Sequence, residues 1–218
     1  MAEQVSVIEK VRRSLGRTAP LTSAPTPPAI DEPIVRLVHT EFGLPELFAK
    51  RAGELKMLVS LVYPEELAKQ LVEFLRGQGV KRIAMPESKL LDQLELPAAL
   101  RAAGFEVKQW GEMTLDEMYD FDAAVTDVDY AVAESGSLVI KTDREHGRAM
   151  TLTPLVHVAV LEPKNFVPDL VDLFERLARE GPGQYVVMIS GPSKTADIEM
   201  NLVTGVHGPK VVQAFVLQ

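Results

Sequence analysis

Cysteine is the residue type that this 218-residue chain lacks entirely. Without cysteine a protein has no disulfide, no thiolate nucleophile and no thiolate ligand for zinc or for an iron–sulfur cluster. Any redox centre that the protein serves is therefore expected to lie in another molecule.

Positive charge and long apolar runs are also scarce. The chain has 23 Lys and Arg against 31 Asp and Glu, a formal net charge of -8. Binding to nucleic acid or to an anionic membrane surface needs an excess of Lys and Arg, so neither is expected, although a local anion pocket is compatible with this charge. No stretch approaches the roughly 20 apolar residues of a membrane span, and the N-terminal segment has no apolar core typical of a secretory signal. We therefore expect a cytoplasmic protein.

The pattern along the chain predicts three regions. In residues 1–16, apolar residues between Val5 and Leu15 recur at helical spacing, which predicts a short amphipathic helix. Residues 17–33 are dense in Pro, Ser and Thr and are predicted to form a tether. Residues 34–218 are predicted to form the folded domain. The apolar face of the first helix needs burial, either on its own domain or on a partner.

The predicted domain is of the α/β class. Helical patterns alternate with short apolar runs, including VKRIAMP, FEVKQW, LTPLVHVAVLEP and QYVVMIS. This alternation predicts a mainly parallel, Rossmann-like sheet with helices on its faces. The segment FDAAVTDVDYAVAESGSLVIKT has alternating apolar residues and is broken by Gly136, which predicts a smaller β-hairpin region.

The loop GPSKTAD is the first candidate for binding chemistry. It follows the apolar run YVVMIS, so we expect it at the carboxyl edge of the sheet, where ligands bind in open α/β folds. Ser193 and Thr195, with the free amides near Gly191, could hold a carboxylate or a phosphate. Either hydroxyl could instead cap a helix through Ile198, a common role for these residues, and the two roles are compatible.

The segment AESGSLV carries a carboxylate next to a glycine turn. Gly136 would let a ligand approach the backbone closely, and Glu134 could then act as a base, a nucleophile or a hydrogen-bond acceptor. The alternative is a solvated glutamate at the end of a hairpin.

Histidine supplies a further candidate in the loop GVHGP. His207 lies between Gly205 and Gly208, where its imidazole could transfer protons to a ligand or could simply occupy a turn. His146 in REHGR and His157 in PLVHVAV are weaker candidates, the first as a loop charge and the second as a strand histidine. Neither has the spacing of a metal ligand.

Carboxylates raise the question of a metal. Asp127 and Asp129 have strand spacing and could share a proton or a cation on one face, or could lie at a solvated strand end. Asp197 and Glu199 could complete a hard-metal set, but EF-hand and zinc spacings are absent, so we predict no metal in this chain. The sequence also lacks GxGxxG, GxxxxGK[ST] and GxSxG, which disfavours the nucleotide-binding and serine-hydrolase sites that those motifs build.

Four segments, taken in order, carry a resemblance to a known family: AVTDVDYAVAESGSLVI, GRAMTLTPLVHVAVLE, VVMISGPSKTADIE and GVHGP. The chain resembles the lactate-utilisation protein C family, also called the LUD domain. The resemblance implies a fold similar to that of the glucosamine-phosphate deaminase, ribose-phosphate isomerase and CoA-transferase superfamily. It also implies a role in the oxidation of L-lactate to pyruvate beside two partners that carry iron–sulfur clusters, with no cofactor in this chain.

The resemblance also points to site residues. By analogy with carboxylates in the superfamily, it implies that Glu134 is catalytic. His207, in the family motif GVHGP, is expected to handle protons with it. The implied ligand-binding residues are Ser135, Gly136, Ser137, Arg148, Gly191, Ser193, Thr195, Asp197, Glu199, Gly205 and Gly208. The sequence has serine in ESGS where a threonine is common in the family, a change that keeps the hydroxyl.

Three functions remain open at this point. The first is a subunit of an L-lactate oxidation system that binds a small carboxylate or phosphate at the carboxyl edge of the sheet. The second is a non-catalytic assembly or regulatory subunit that docks on iron–sulfur partner proteins. The third is an independent isomerase or an enzyme similar to CoA transferases.

Overall fold

The computed structural model describes residues 6–17, 36, 38, 43–195, 203–204 and 207–218. The chain divides into two units, residues 1–35 and residues 36–218. In the part of the chain that is described, no helix is long and apolar enough to cross a membrane.

The first unit contains helix α1 (Val7–Ser14). Its N-cap is Ser6, whose hydroxyl oxygen accepts a hydrogen bond from the backbone N–H of Glu9 at 3.3 Å. The apolar side chains of the helix and its C-cap, namely Val7, Ile8, Val11 and Leu15, are between 53% and 76% exposed.

The second unit is built on a six-stranded sheet in which every neighbouring pair is parallel. Its strands are β1 (Leu58–Val62), β2 (Arg82–Met85), β3 (Glu106–Gln109), β4 (Ala123–Asp127), β7 (Val156–Leu161) and β12 (Val211–Leu217). Their order across the sheet is β1-β12-β7-β4-β2-β3. The predicted parallel, Rossmann-like sheet is therefore confirmed.

Helices cover one face of this sheet: α3 (Pro64–Gly77), α4 (Lys89–Gln93) and α5 (Leu96–Ala102). The sequence of helix α3 explains both its formation and its packing on the sheet. Pro64 occupies its first turn, and Leu67, Leu71 and Leu75 recur every four residues and are fully buried. They join the valines of β7 in one apolar core.

The opposite face of the parallel sheet is covered by a second, four-stranded sheet and by helix α2 (Leu44–Glu54). The strands of the second sheet are β5 (Tyr130–Val132), β6 (Ser137–Thr142), β8 (Phe166–Val167) and β9 (Tyr185–Ile189), in the order β8-β5-β6-β9. Strands β5 and β6 form the predicted hairpin. Helix α7 (Leu170–Glu180) packs on the outer face of this sheet through Leu173 and Leu177.

One strand departs from the predicted organisation. The segment QYVVMIS was expected to complete another unit of the parallel sheet, but β9 pairs antiparallel with β6 in the smaller sheet. The burial of its side chains explains the difference. Tyr185 and Met188 are 53% and 42% exposed, as suits the edge of a sheet, whereas β7 at the centre of the parallel sheet is buried at every residue.

Three of the shorter elements lie near predicted site residues. Helix α6 (Ala149–Leu152) follows the loop that contains His146. Strands β10 (Lys194–Thr195) and β11 (Val203–Thr204) pair antiparallel. Thr195 therefore lies in a strand, and the helix that was considered to run through Ile198 falls outside the described residues.

Candidate functional site

The described site residues fall into two groups joined by one loop. The first group lies at the tip of the β5–β6 hairpin and consists of Glu134, Ser135, Gly136 and Ser137. The second group lies around a surface cavity and the start of β12, and consists of Arg148, Ser193, His207 and Gly208. The loop formed by residues 190–193 contacts both groups. Asp197, Glu199 and Gly205 lie outside the described residues, and only the backbone of Thr195 is described.

The hairpin tip packs tightly on helix α2. Gly136 has φ +62, and a Cβ at this position would lie 2.3 Å from the backbone nitrogen of Ala52. Only glycine tolerates both the left-handed backbone and this close approach. The close approach that the sequence assigned to a ligand is therefore made by the chain's own helix.

Glu134 is half-buried at this tip, not fully solvated. Its backbone N–H donates to the carbonyl oxygen of Pro168 at 3.0 Å. Burial raises the pKa of its carboxyl, the neighbouring charge of Asp169 raises it further, and Arg51 lowers it. The Glu134 carboxyl is thus more easily protonated than an exposed glutamate, which is a property of carboxylates that exchange protons.

Three hydroxyls form a chain from the hairpin tip to the end of β9. The hydroxyl of Ser135 donates to Ser137 Oγ at 2.9 Å, and Ser137 Oγ lies 2.6 Å from Ser190 Oγ. Ser137 is buried, so its hydroxyl is occupied by protein partners. Ser190 was missed by the sequence analysis, because its pairing with Ser137 arises only when β9 joins β6.

A buried carboxylate beside the tip was also missed. Asp169 caps helix α7 by accepting the backbone N–H groups of Val171 and Asp172 at 2.9 and 3.1 Å. The guanidinium of Arg36 donates to the Asp169 and Asp172 carboxylates at 3.3 and 2.7 Å. The aspartate at the start of an amphipathic run was a signal for a cap, but its effect on Glu134 depends on the folded arrangement.

The second group borders a cavity of about 860 Å³. The side chains and backbone that line it belong to Trp110, Leu115, Tyr119, Arg148, Ala149, Leu152, Thr153, Leu155, His207 and Gly208. The guanidinium carbon of Arg148 lies 4.0 Å from the centre of the Tyr185 ring, a cation–π contact that holds the charge in place. The apolar and aromatic wall was not predicted from the sequence.

The predicted location at the carboxyl edge of the parallel sheet is wrong for this group. The backbone N–H of Ser193 donates to the carbonyl oxygen of Pro209 at 2.8 Å, and Pro209 leads into β12 at its amino end. The backbone N–H of Lys210 donates to the carbonyl oxygen of Leu155, which lies just before β7. The error has a physical cause, because the strand before GPSKTAD belongs to the other sheet.

Asp127 and Asp129 face different neighbours. Asp127 Oδ1 lies 4.0 Å from His146 Nδ1, while Asp129 accepts the backbone N–H of Lys141 at 2.6 Å and lies 3.8 Å from its Nζ. Burial raises the pKa of Asp129, and Lys141 opposes that effect. Among the described residues, no cluster of three or more potential metal ligands occurs.

His146 and His157, the weaker candidates from the sequence, are both buried. His157 Nε2 lies 2.9 Å from the Thr126 hydroxyl, and its Nδ1 has no hydrogen-bond partner in the described structure. The buried Nε2 of His146 is likewise unpaired there. Burial lowers the pKa of His157 to about 3 and also lowers that of His146, so both rings are neutral near pH 7.

A sequence model described as the LUD domain matches residues 45–217 of this chain. The chain belongs to the LUD domain family. It is 28% identical over 221 residues to lactate utilization protein C of Geobacillus kaustophilus, covering 93% of this chain and 90% of that protein. It is also 28% identical over 180 residues to lactate utilization protein C of Halalkalibacterium halodurans, covering 78% and 77%.

A solved structure agrees with the fold of this LUD domain. The crystal structure of a DUF162 family protein from Deinococcus radiodurans superimposes with a TM-score of 0.62 at 21% identity, covering 83% of this chain and 99% of that one. The family model and the relatives named above confirm the resemblance inferred from the four sequence segments.

The LUD domain thus brings together only part of the predicted site. Within the described part of the chain, no hydrogen bond or ion pair joins Glu134 to His207. Glu134 contacts the α7 side of the smaller sheet, whereas His207 borders the cavity with Arg148.

Proposed function

We propose that this LUD-domain protein acts in lactate utilisation in the cytoplasm, as a subunit of a system that oxidises L-lactate to pyruvate. The names of its relatives support the metabolic role. The observation that supports a binding role for this subunit is the position of Arg148, which borders the cavity together with His207.

The chemistry of these two side chains suits a small carboxylate. A guanidinium binds a carboxylate through two parallel N–H···O hydrogen bonds. The guanidinium carbon of Arg148 lies 4.0 Å from the centre of the Tyr185 ring, and the group has five N–H donors with which to bind an anion. His207 is exposed at the same cavity and is the natural group to take up the proton of a 2-hydroxyl.

The electrons of the reaction require another protein. Oxidation of L-lactate to pyruvate releases two electrons and two protons, and this chain has no cysteine with which to ligate an iron–sulfur cluster. Because the chain has no cysteine ligands, its residues do not fit an iron–sulfur cluster in this subunit. We place the clusters in partner subunits and confine this chain to binding the acid and exchanging a proton.

Reconstitution tests the proposal. Lactate-dependent dye reduction is measured with the iron–sulfur partners alone and after addition of wild type, Arg148→Gln or Glu134→Gln. We expect wild type to restore activity and Arg148→Gln to lower it at least tenfold. Arg144→Gln, in the same loop but not among the cavity residues, is the matched control.

The outcomes separate the two groups of residues. Loss of activity in Glu134→Gln with normal assembly would show that the hairpin tip takes part in turnover. Full activity in both Glu134→Gln and Arg148→Gln would exclude a role of either group in the reaction and would indicate a scaffold.

An assembly role is the second candidate, and helix α1 favours it. Its four apolar side chains are more than half exposed, a feature of helices that bind a partner. Deletion of residues 1–29 should then abolish complex formation with the iron–sulfur proteins while the remaining domain stays folded. Retained assembly after the deletion would contradict this role.

A further inference from the structure

The size of the cavity is the first reason to ask which acid it holds. Its volume of about 860 Å³ lies within the range of roughly 300–1,000 Å³ that is typical of sites for drug-sized ligands. A three-carbon acid such as lactate would fill only a small part of this space. Most of the wall would remain in contact with water.

The chemistry of the wall is the second reason. Trp110 and Tyr119 supply aromatic rings, and Leu115, Leu152 and Leu155 supply aliphatic side chains. Tyr119 is 74% exposed and Leu115 is 60% exposed. Apolar groups that line a cavity are stabilised when a ligand removes them from water, and a short hydroxy acid has no apolar group large enough to do so.

The charge of the wall is the third reason. The chain has 31 Asp and Glu, yet the described residues that line the cavity include no acidic side chain. Arg148 is the cation there, and Thr153 and His207 are the polar side chains beside it. This distribution matches a ligand with one acidic end, a nearby hydroxyl or keto group, and an apolar body.

We propose that the cavity binds 2-hydroxy carboxylates with an aromatic side chain in preference to lactate. The carboxylate pairs with Arg148, the 2-hydroxyl contacts His207 or Thr153, and the aromatic ring lies against Trp110 and Tyr119. This proposal rests on the proposed function, since both use Arg148 as the carboxylate group's partner. It differs in naming the size and character of the acid.

Calorimetric titration of the full chain with L-lactate and with L-3-phenyllactate tests the proposal. We expect phenyllactate to bind about 10- to 100-fold more tightly, as burial of one phenyl ring allows. The emission of Trp110, the single tryptophan of the chain, should change on binding and locate the ligand at the cavity. Trp110→Phe removes this signal.

Three variants identify the contacts. Tyr119→Ser should weaken phenyllactate binding several-fold and leave lactate binding unchanged. Arg148→Gln should weaken the binding of both acids at least tenfold, and Arg144→Gln should weaken neither. Tyr119, Arg144 and Arg148 are exposed, and circular dichroism of each variant checks that it is folded.

Each outcome has a defined meaning. Equal affinities for the two acids, or tight phenyllactate binding that Tyr119→Ser does not change, would overturn this proposal and leave lactate binding in place. Tight phenyllactate binding that Arg148→Gln does not change would overturn the assignment of Arg148 as the partner of the carboxylate. If neither acid binds, both this proposal and the assignment of Arg148 are overturned. The dye-reduction assay would then still test the metabolic role separately.

Discussion

His157 Nε2 lies 2.9 Å from the hydroxyl of Thr126 on the neighbouring parallel strand, and the histidine is completely buried. The other ring nitrogen has no hydrogen-bond partner within the described residues. A buried imidazole of this kind is held neutral, because a charged ring would lose its hydration without gaining a counter-ion. The folded state of the domain therefore depends on the protonation of one strand residue.

The first prediction concerns stability against pH. Folding lowers the pKa of His157 from 6.5 to about 3, so the unfolded chain binds the proton more readily. The contribution of this residue is complete above pH 6.5 and is lost as the pH falls towards 3. Between pH 7 and pH 5 we expect a loss of about 2 kcal/mol from this group.

Urea denaturation of wild type and His157→Gln at the two pH values measures this loss. Glutamine cannot titrate, so the variant should lose about 2 kcal/mol less than wild type does over the same interval. Carboxylates contribute equally to both proteins and cancel in the comparison. Equal pH dependence of the two proteins would contradict the assignment.

The second prediction concerns the hairpin tip. Gly136→Ala should lower the free energy of unfolding by about 3 kcal/mol or more, because the new methyl group meets the backbone of Ala52 and the φ of +62 becomes strained. Gly79→Ala is the control. Its φ is +72 with nothing within 4 Å, so it should cost only about 1 kcal/mol. Similar losses would mean that the hairpin tip can move away from α2.

The third prediction concerns the carboxyl of Glu134. Burial raises its pKa most, and the charge of Asp169 adds to that effect. Asp169→Asn should therefore lower the pKa of Glu134, while asparagine keeps the cap of helix α7. Carboxyl carbon chemical shifts followed by NMR against pH report the change. Asp172→Asn serves as the comparison, and an equal shift in it would show that Asp169 has no special role.

The fourth prediction concerns the wall of the cavity. Gly147 packs on the ring of Trp110, and a Cβ there would lie 2.0 Å from a ring carbon. Gly147→Ala should displace the ring, shift its emission to longer wavelength and weaken phenyllactate binding. Gly53→Ala, where nothing lies within 4 Å, should leave the emission unchanged. An unchanged spectrum for Gly147→Ala would show that the ring is not held by this contact.

Much of the fold could be predicted from the sequence because the signals were local. The leucines of α3 repeat every four residues, and Gly136 interrupts an alternating apolar pattern in the hairpin. Such patterns depend only on the geometry of one helix or of two adjacent strands. The four segments that carried the family resemblance also identified the LUD family correctly.

The candidate site was predicted less completely. Motifs pointed to Glu134, His207 and Arg148, but no pattern joined Arg148 to Trp110, which are far apart in the chain. The buried pair of His157 and Thr126 was also missed, since it depends on the register between β4 and β7.

The amino-acid sequence by itself determined the α/β class, the helices, the hairpin turn and the absence of cysteine ligands, because each of these depends on residue type or on neighbours along the chain. Only the tertiary structure decided that β9 joins the smaller sheet, that Ser193 meets Pro209 at the amino edge, and that aromatic and cationic side chains share one cavity. These features arise from pairing and packing between segments that are distant in the chain. Such contacts form and stabilise the protein only when the whole domain folds.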